Sequence, residues 1–232
     1  MLRATGATVI GPGHRLDATS NQDAVRIRGE RGGWFAAVAD GLGSRARSRV
    51  GSRLAVRLAQ RAWRADDAAP DARASIQHFY QSWLRTLPSS PGDFATTVLA
   101  ARCGADGVCH LIQLGDGLAL YRAAGVFGVL SGARAGFGNE TEALGVTKSF
   151  SAWRTARIAL SEPGDGVMLM TDGIADDLRP ERLGAFFDHL HAQARARSRR
   201  AGRRWLERQL EAWPTALHND DKSIALIFRD SR

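Results

Sequence analysis

Apolar and polar residues alternate with a period of two through GATVI (6–10) and AVRIR (24–28), and GWFAAVAD (33–40) ends the same way in Asp-Gly. Three strands are predicted there. From Ser48 to about Ala65 the period lengthens to that of a helix, with Val50, Leu54, Leu58 and Ala62 on one stripe and Arg49, Arg53, Arg57 and Arg64 mainly elsewhere. A second helix fits 71–87, through Ile76, Phe79, Tyr80, Trp83, Leu84 and Leu87, and stops at Pro88. Strands then return in ATTVLAAR (95–102), VCHLIQLG (108–115), LALYRA (118–123), GVFGVLS (125–131), WRTARIAL (153–160) and GVMLMTD (166–172). A helical pattern from about Leu183 continues into RARSRRAGRRWLER (195–208), and SIALIFRD (223–230) is a last strand.

Short strands joined by tight turns, with helices in pairs, point to an α+β fold: antiparallel sheets carrying helices on their outer faces, since parallel units would alternate strand and helix throughout. With 232 residues, 44% of them apolar, the chain suits a single domain over 1–232. The segment 132–150, GARAGFGNETEALGVTKSF, is the one irregular excursion. No run of 18 apolar residues occurs and the N-terminus lacks the apolar core of a signal peptide, so the expectation is a cytoplasmic protein without a membrane partner.

Charge adds little to this. The net charge of +8 comes from 32 Lys and Arg, of which only Lys148 and Lys222 are lysine, a bias that reflects genome composition as much as selection. The 195–208 run reads as the solvated face of a helix, and a nucleic-acid partner is disfavoured because neither aromatic interleaving nor a helix-turn-helix pattern accompanies the arginines. Cys103 and Cys109 flank a turn and could be cross-strand neighbours, but a reducing cytosol favours two free buried thiols. Neither starts a CX₅R loop, which excludes a cysteine-nucleophile phosphatase, and the six scattered His disfavour zinc.

Acids at strand ends carry the chemistry. Asp40-Gly41 and Asp172-Gly173 each end a strand, Asp116-Gly117 lies between two, and Asp220-Asp221 opens the last. One Asp-Gly is an ordinary turn. Four acidic strand ends in a two-sheet sandwich would converge at an edge and repel unless cations sat between them, and an all-oxygen ligand set suits Mg²⁺ or Mn²⁺.

SNQDAV, VADGLGS, FATTVLAA, IQLGDGLALY, ALGV, MLMTDGIADDL and NDDKSIALI stand in the same order as the motifs of the metal-dependent type 2C Ser/Thr protein phosphatases. The chain resembles the compact bacterial branch of that family over about residues 9–229. The resemblance implies a four-layer αββα sandwich, two central antiparallel sheets flanked by helix pairs, with a dinuclear Mn²⁺ or Mg²⁺ centre at one edge. It implies further that Asp40 bridges the ions while the Gly41 carbonyl binds one, that Asp172 and Asp220 are the other main metal carboxylates, and that Asp23 ligates directly or through water. A third, weaker ion would map to Asp116, Asp172 and Asp176. The activity implied is hydrolysis of phosphoserine and phosphothreonine by a water bridging the two ions, and the partners are a phosphorylated protein and a cognate Ser/Thr kinase in bacterial signalling. The expected state is a monomer, and 132–150 corresponds to the family's flap.

Departures from the family pattern bear on the reading. The acid that often precedes Asp23 is Gln22, and the arginine that often grips phosphate is replaced by Ala18, leaving His14 or Arg15 for that contact. Leu42 stands where some members carry a proton-donating His. Ser44 replaces a glycine and Asp221 an asparagine, and Asp177 is expected to be a surface acid without a role. Two other readings are a catalytically weak, phosphatase-like binding or regulatory module, against which the intact Asp40, Asp172 and Asp220 argue, and a basic nucleic-acid-binding protein.

Overall fold

Strand β10 (Lys222–Arg229) reads as a continuous apolar run because it is covered on both faces. Ala225 and Ile227 face a core between two sheets, while Ile224, Leu226 and Phe228 face a helical layer. The structure is a computed structural model, and it describes residues 1–65, 71–131, 141–214 and 219–231.

Among the described residues, ten strands form two antiparallel five-stranded sheets. In the first, β1 (Leu2–Val9), β10, β9 (Gly166–Met170), β6 (Leu118–Ala123) and β7 (Val126–Val129) lie in that order. The second runs β2 (Ala24–Glu30), β3 (Gly33–Ala39), β4 (Val98–Cys103), β5 (Val108–Leu114), β8 (Arg154–Ala159). Helices α2 (Ser48–Ala65) and α3 (Ala72–Thr86) cover the second sheet, where Leu54, Leu58, Ile76, Phe79 and Trp83 meet Phe35, Ala37 and Ala39. Helices α5 (Leu183–Arg195) and α6 (Arg199–Glu211) cover the first through Phe187, Leu190, Leu206 and Leu210. The four layers match the expected α+β sandwich. No helix among the described residues is long and apolar enough to cross a membrane.

Four expectations change. The 183–208 pattern is two helices, because Ser198 accepts a hydrogen bond from the Ala201 N–H and caps a new start. Val50 leaves the buried stripe of α2, standing 47% exposed, and Gly51 takes the inward position against the Phe94 carbonyl. The cysteines are not free: Cys103 and Cys109 lie opposite each other across β4 and β5 and are joined by a disulfide. The register of the hairpin, which the turn alone left open, is what pairs them. Asp177 is no idle surface acid, since it accepts from Trp213 Nε1 at 2.9 Å and ties the start of the α5 layer to its end. Two short helices, α1 (Pro12–Leu16) and α4 (Asp172–Ala175), follow strands at one edge and were not apparent from periodicity. Residues 132–140, the first half of the predicted flap, lie outside the described residues.

Candidate metal centre

Strand register brings the acids together. In the β2–β3 hairpin Ala24 pairs with Ala39, so Asp23 and Asp40 leave the sheet side by side. Met170 pairs with both Leu118 and Ile224, which places Asp172 between the turn holding Asp116 and the segment Asp220-Asp221. Val9 pairs with Lys222, so α1 starts beside the same segment. Six chain segments thus reach one edge of the sandwich.

Each Asp-Gly serves close approach more than turning. A Cβ on Gly173 would lie 2.1 Å from the Asp221 carbonyl oxygen, and one on Gly41 would lie 2.7 Å from the Ser48 backbone. Asp40 is fixed through its backbone: its N–H donates to Thr97 Oγ1 at 3.0 Å, and its carbonyl accepts from the Thr97 N–H at 2.8 Å and Thr96 Oγ1 at 2.7 Å. Its carboxyl is thereby left to face the other acids.

The electrostatics of this edge are adverse. Burial, then the charges of Asp23, Asp172 and Asp220, pushes the Asp40 carboxyl well above the ordinary carboxylate range. Burial and Asp172 do the same to Asp23, against a 2.8 Å hydrogen bond from Thr171 Oγ1 that favours its charged form. Asp23 Oδ1 is buried with no donor. Asp165 provides the contrast within the same molecule: burial raises its proton affinity too, but N–H groups of Glu162, Gly125, Ala124 and Ser161 outweigh burial and hold it below the ordinary value. A carboxylate built for architecture is satisfied by the backbone, whereas Asp23 and Asp40 face one another. An orphaned buried oxygen and mutually repelling acids are the donor set a hard divalent cation fits.

Asp221 behaves differently from its neighbour. Its carboxylate accepts from the Gly11 N–H at 2.8 Å and the Gln22 N–H at 2.6 Å, and lies 2.9 Å from His14 Nδ1. It clamps α1 and the Gln22-Asp23 segment onto β10. Asp220, partly exposed, has its Oδ1 3.9 Å from His14 Nδ1 and accepts from the Asp221 N–H. His14, Asp220 and Asp221 present ligand atoms within 4.8 Å of one another. Lys222 is buried, and its Nζ donates to the Asp220 carbonyl at 2.9 Å. Burial lowers the Lys222 pKa, while Asp177, Asp220, Asp221 and Asp23 pull it upward.

Of the remaining sequence candidates, Asp176 follows Asp172 by one helical turn and donates its N–H to the Asp172 carbonyl, and Asp116 accepts from Thr141 Oγ1 at 3.0 Å. Arg15 is exposed on the wall of an open cleft of about 470 Å³ between the end of β1 and α6, shared with Arg204, Arg208, Glu207 and Glu211. Sequence reasoning missed Thr171, Asp221 and Lys222 as the support of the site. Their signal was polarity at the ends of apolar runs, in MLMTDG and DDKSIALI.

Comparisons with known proteins bear on the family and the fold. A family profile described as Protein phosphatase 2C matches residues 10–211. No curated protein matches by sequence. Among solved structures, the Mycobacterium tuberculosis serine/threonine phosphatase PstP/Ppp is similar at a TM-score of 0.66 and 17% identity, with 99% of each chain covered. PppA, a component of the type VI secretion system regulation of Pseudomonas aeruginosa, gives a TM-score of 0.66 at 19% identity over 98% of this chain and 97% of that one. RsbX in complex with magnesium gives 0.63 at 14%, over 97% and 94%. At such identities the structural likeness shows the shared fold, and the sequence profile carries the membership. The chain belongs to the protein phosphatase 2C family, the metal-dependent Ser/Thr protein phosphatases.

Proposed function

We propose that Asp40, Asp172 and Asp220, with Asp23 behind them and the Gly41 carbonyl beside them, hold two Mg²⁺ or Mn²⁺ ions, and that Asp116, Asp172 and Asp176 hold a third. The observation that carries this is the pair of buried Asp23 and half-buried Asp40, whose proton affinities are raised by desolvation and by the neighbouring carboxylates and whose Asp23 Oδ1 has no donor. When bound, the ions supply Lewis acidity and a water acidic enough to attack phosphorus near neutral pH.

The chain's own residues do the rest. Thr96 and Thr97 fix the Asp40 backbone, and Asp221 locks α1 and Gln22 beside it, so the carboxyls need no reorganisation when substrate arrives. Leu42 offers no proton, so the leaving serine or threonine oxygen takes its proton from solvent. Of the two candidates for gripping phosphate, His14 is engaged by Asp221, while Arg15 has no ion-pair partner among the described residues. His14 and Arg15 are both candidates for that contact. The substrate is a bacterial phosphoprotein modified by a cognate Ser/Thr kinase, and the enzyme acts as a cytoplasmic monomer. The bacterial phosphatases among the structural relatives support this setting.

The deciding experiment measures phosphate release from p-nitrophenyl phosphate and a phosphothreonine peptide with Mn²⁺, with EDTA, and for Asp40→Asn. Hydrolysis should require the metal and vanish in the variant; turnover that persists in chelator sinks the proposal.

A further inference from the structure

Helix α2 contains no acidic residue. Its arginines Arg49, Arg53, Arg57 and Arg61 are all exposed, one every four residues, and form a single row along the outer face. At 1.5 Å per residue the row has a repeat of about 6 Å and a length of about 18 Å. Like charges at this spacing destabilise a helix, and among the described residues none of the four has a carboxylate partner. Four of the arginines in and between α5 and α6 are used otherwise. Arg195 reaches Asp230, Arg197 lies over Trp205, Arg199 over Trp34, and Arg203 pairs with Glu207.

The row begins at the metal centre. Ser48, adjacent to Arg49, packs against Gly41, and Ser52 Oγ donates to the Gln22 carbonyl at 2.5 Å. At its far end the row meets β2, where Arg57, Arg61 and the exposed Arg28 lie close enough to act on Arg26. Among the described residues, Glu30, held by Gln60, opposes them there.

We propose that this row is a docking track for an acidic, extended segment of the phosphoprotein substrate, running from the phosphorylated residue at the metal centre outward along α2. The inference rests on the function proposed above. An extended chain repeats its side chains on one face about every 6.6 Å, close to the arginine repeat, so carboxylates at alternate positions meet successive guanidinium groups. A nucleic acid fits less well, because the outward face of α2 offers no aromatic ring for stacking and Trp63 is buried. A lipid surface is disfavoured because the apolar stripe of α2 is covered by the sheet, leaving Val50 as its one exposed large apolar residue.

The test compares wild type with R49Q/R53Q/R57Q/R61Q on two phosphothreonine peptides of equal length, one flanked by alternating Asp and one by alternating Asn, with the flank placed on either side. Wild type should prefer an acidic peptide in kcat/KM by about tenfold or more, a preference that fades near 0.5 M salt. The variant should lose it while hydrolysing p-nitrophenyl phosphate at the wild-type rate and melting no lower than wild type. Equal kcat/KM values for wild type on all peptides, or a preference retained by the variant, overturn the track. Binding of an unphosphorylated acidic peptide, read by fluorescence anisotropy, decides the matter independently of catalysis: binding lost in the variant upholds the track even if no substrate is hydrolysed, an outcome that would remove only the proposed activity. Tighter binding of duplex DNA or anionic phospholipid vesicles than of the acidic peptide overturns the track in favour of that ligand.

Discussion

Thr171 Oγ1 donates to Asp23 Oδ2 at 2.8 Å, a bond between residues 148 apart in sequence that flank strands of different sheets. The same hydroxyl accepts from the Ser223 N–H at 3.0 Å, so one side chain joins the end of β9, the start of β10 and the entry to β2. Thr171→Val keeps the shape and removes both bonds. It should lower stability by about 1–3 kcal/mol, the usual cost of leaving buried polar groups unpaired. It should also raise the Mn²⁺ concentration needed for half-maximal activity, because Asp23 loses the bond that orients it. Urea unfolding and metal titration check the two effects, and no change in either would mean that Thr171 is packing alone.

The acids at this edge make a sharper prediction about stability. Asp40 is half-buried and faces the charges of Asp23, Asp172 and Asp220, so without metal its charge opposes folding. Asp40→Asn should therefore raise the melting temperature of metal-free protein while abolishing hydrolysis, the trade expected where a site is strained for function. Mn²⁺ should stabilise wild type by mass action and stabilise the variant less. Calorimetry with EDTA and with Mn²⁺ separates these cases; a variant less stable than wild type in EDTA would show that Asp40 is a structural carboxylate like Asp165.

Much of this was legible in the sequence, and the parts that were not share a cause. The apolar runs of β3, β4, β9 and β10 announce themselves because middle-layer strands are buried on both faces. The Asp-Gly punctuation exposed Asp40 and Asp172 because it interrupts those runs. What periodicity misses is register and capping: the Cys103–Cys109 disulfide depends on which residues a hairpin pairs, and the break at Ser198 depends on one hydroxyl within a helical pattern. The anchoring role of Asp221 is not legible because its partners, Gly11, His14 and Gln22, are 199 to 210 residues away in sequence, one of them in a helix of five residues too short to show a pattern.

His191 gives a pH dependence that does not involve the metal centre. Burial first, then Arg195 and Arg122, lowers its pKa from the ordinary 6.5, with Asp188 and Asp230 opposing, and its ring lies against Phe187 and Phe228. The unfolded chain therefore binds a proton below about pH 6.5 that the folded chain resists. Stability should be full above that pH and fall as the pH drops through the window below it. His191→Gln should flatten this part of the curve. Urea midpoints at intervals from pH 7.5 to 5 read the difference between the two slopes, and parallel curves would assign the loss to other groups.

Asp221 closes the case for separating support from ligation. Its two oxygens accept from two backbone N–H groups and stand against His14, so the carboxylate is already occupied by protein donors. Asn at this position presents one acceptor and one NH₂, and the NH₂ must face a donor. Asp221→Asn should therefore cost about 1–3 kcal/mol of stability, and Asp221→Ala at least as much, since it leaves the Gly11 and Gln22 N–H groups without acceptors. In both variants activity should fall because α1 and the Gln22-Asp23 segment lose their anchor. The loss should be partly recovered by raising Mn²⁺, since the proposed ligands Asp40, Asp172 and Asp220 are intact, whereas no Mn²⁺ concentration should recover Asp40→Asn. Metal titrations of kcat for the three variants distinguish the roles: an Asp221→Asn enzyme as dead as Asp40→Asn at saturating Mn²⁺, yet as stable as wild type, would place Asp221 among the ligands.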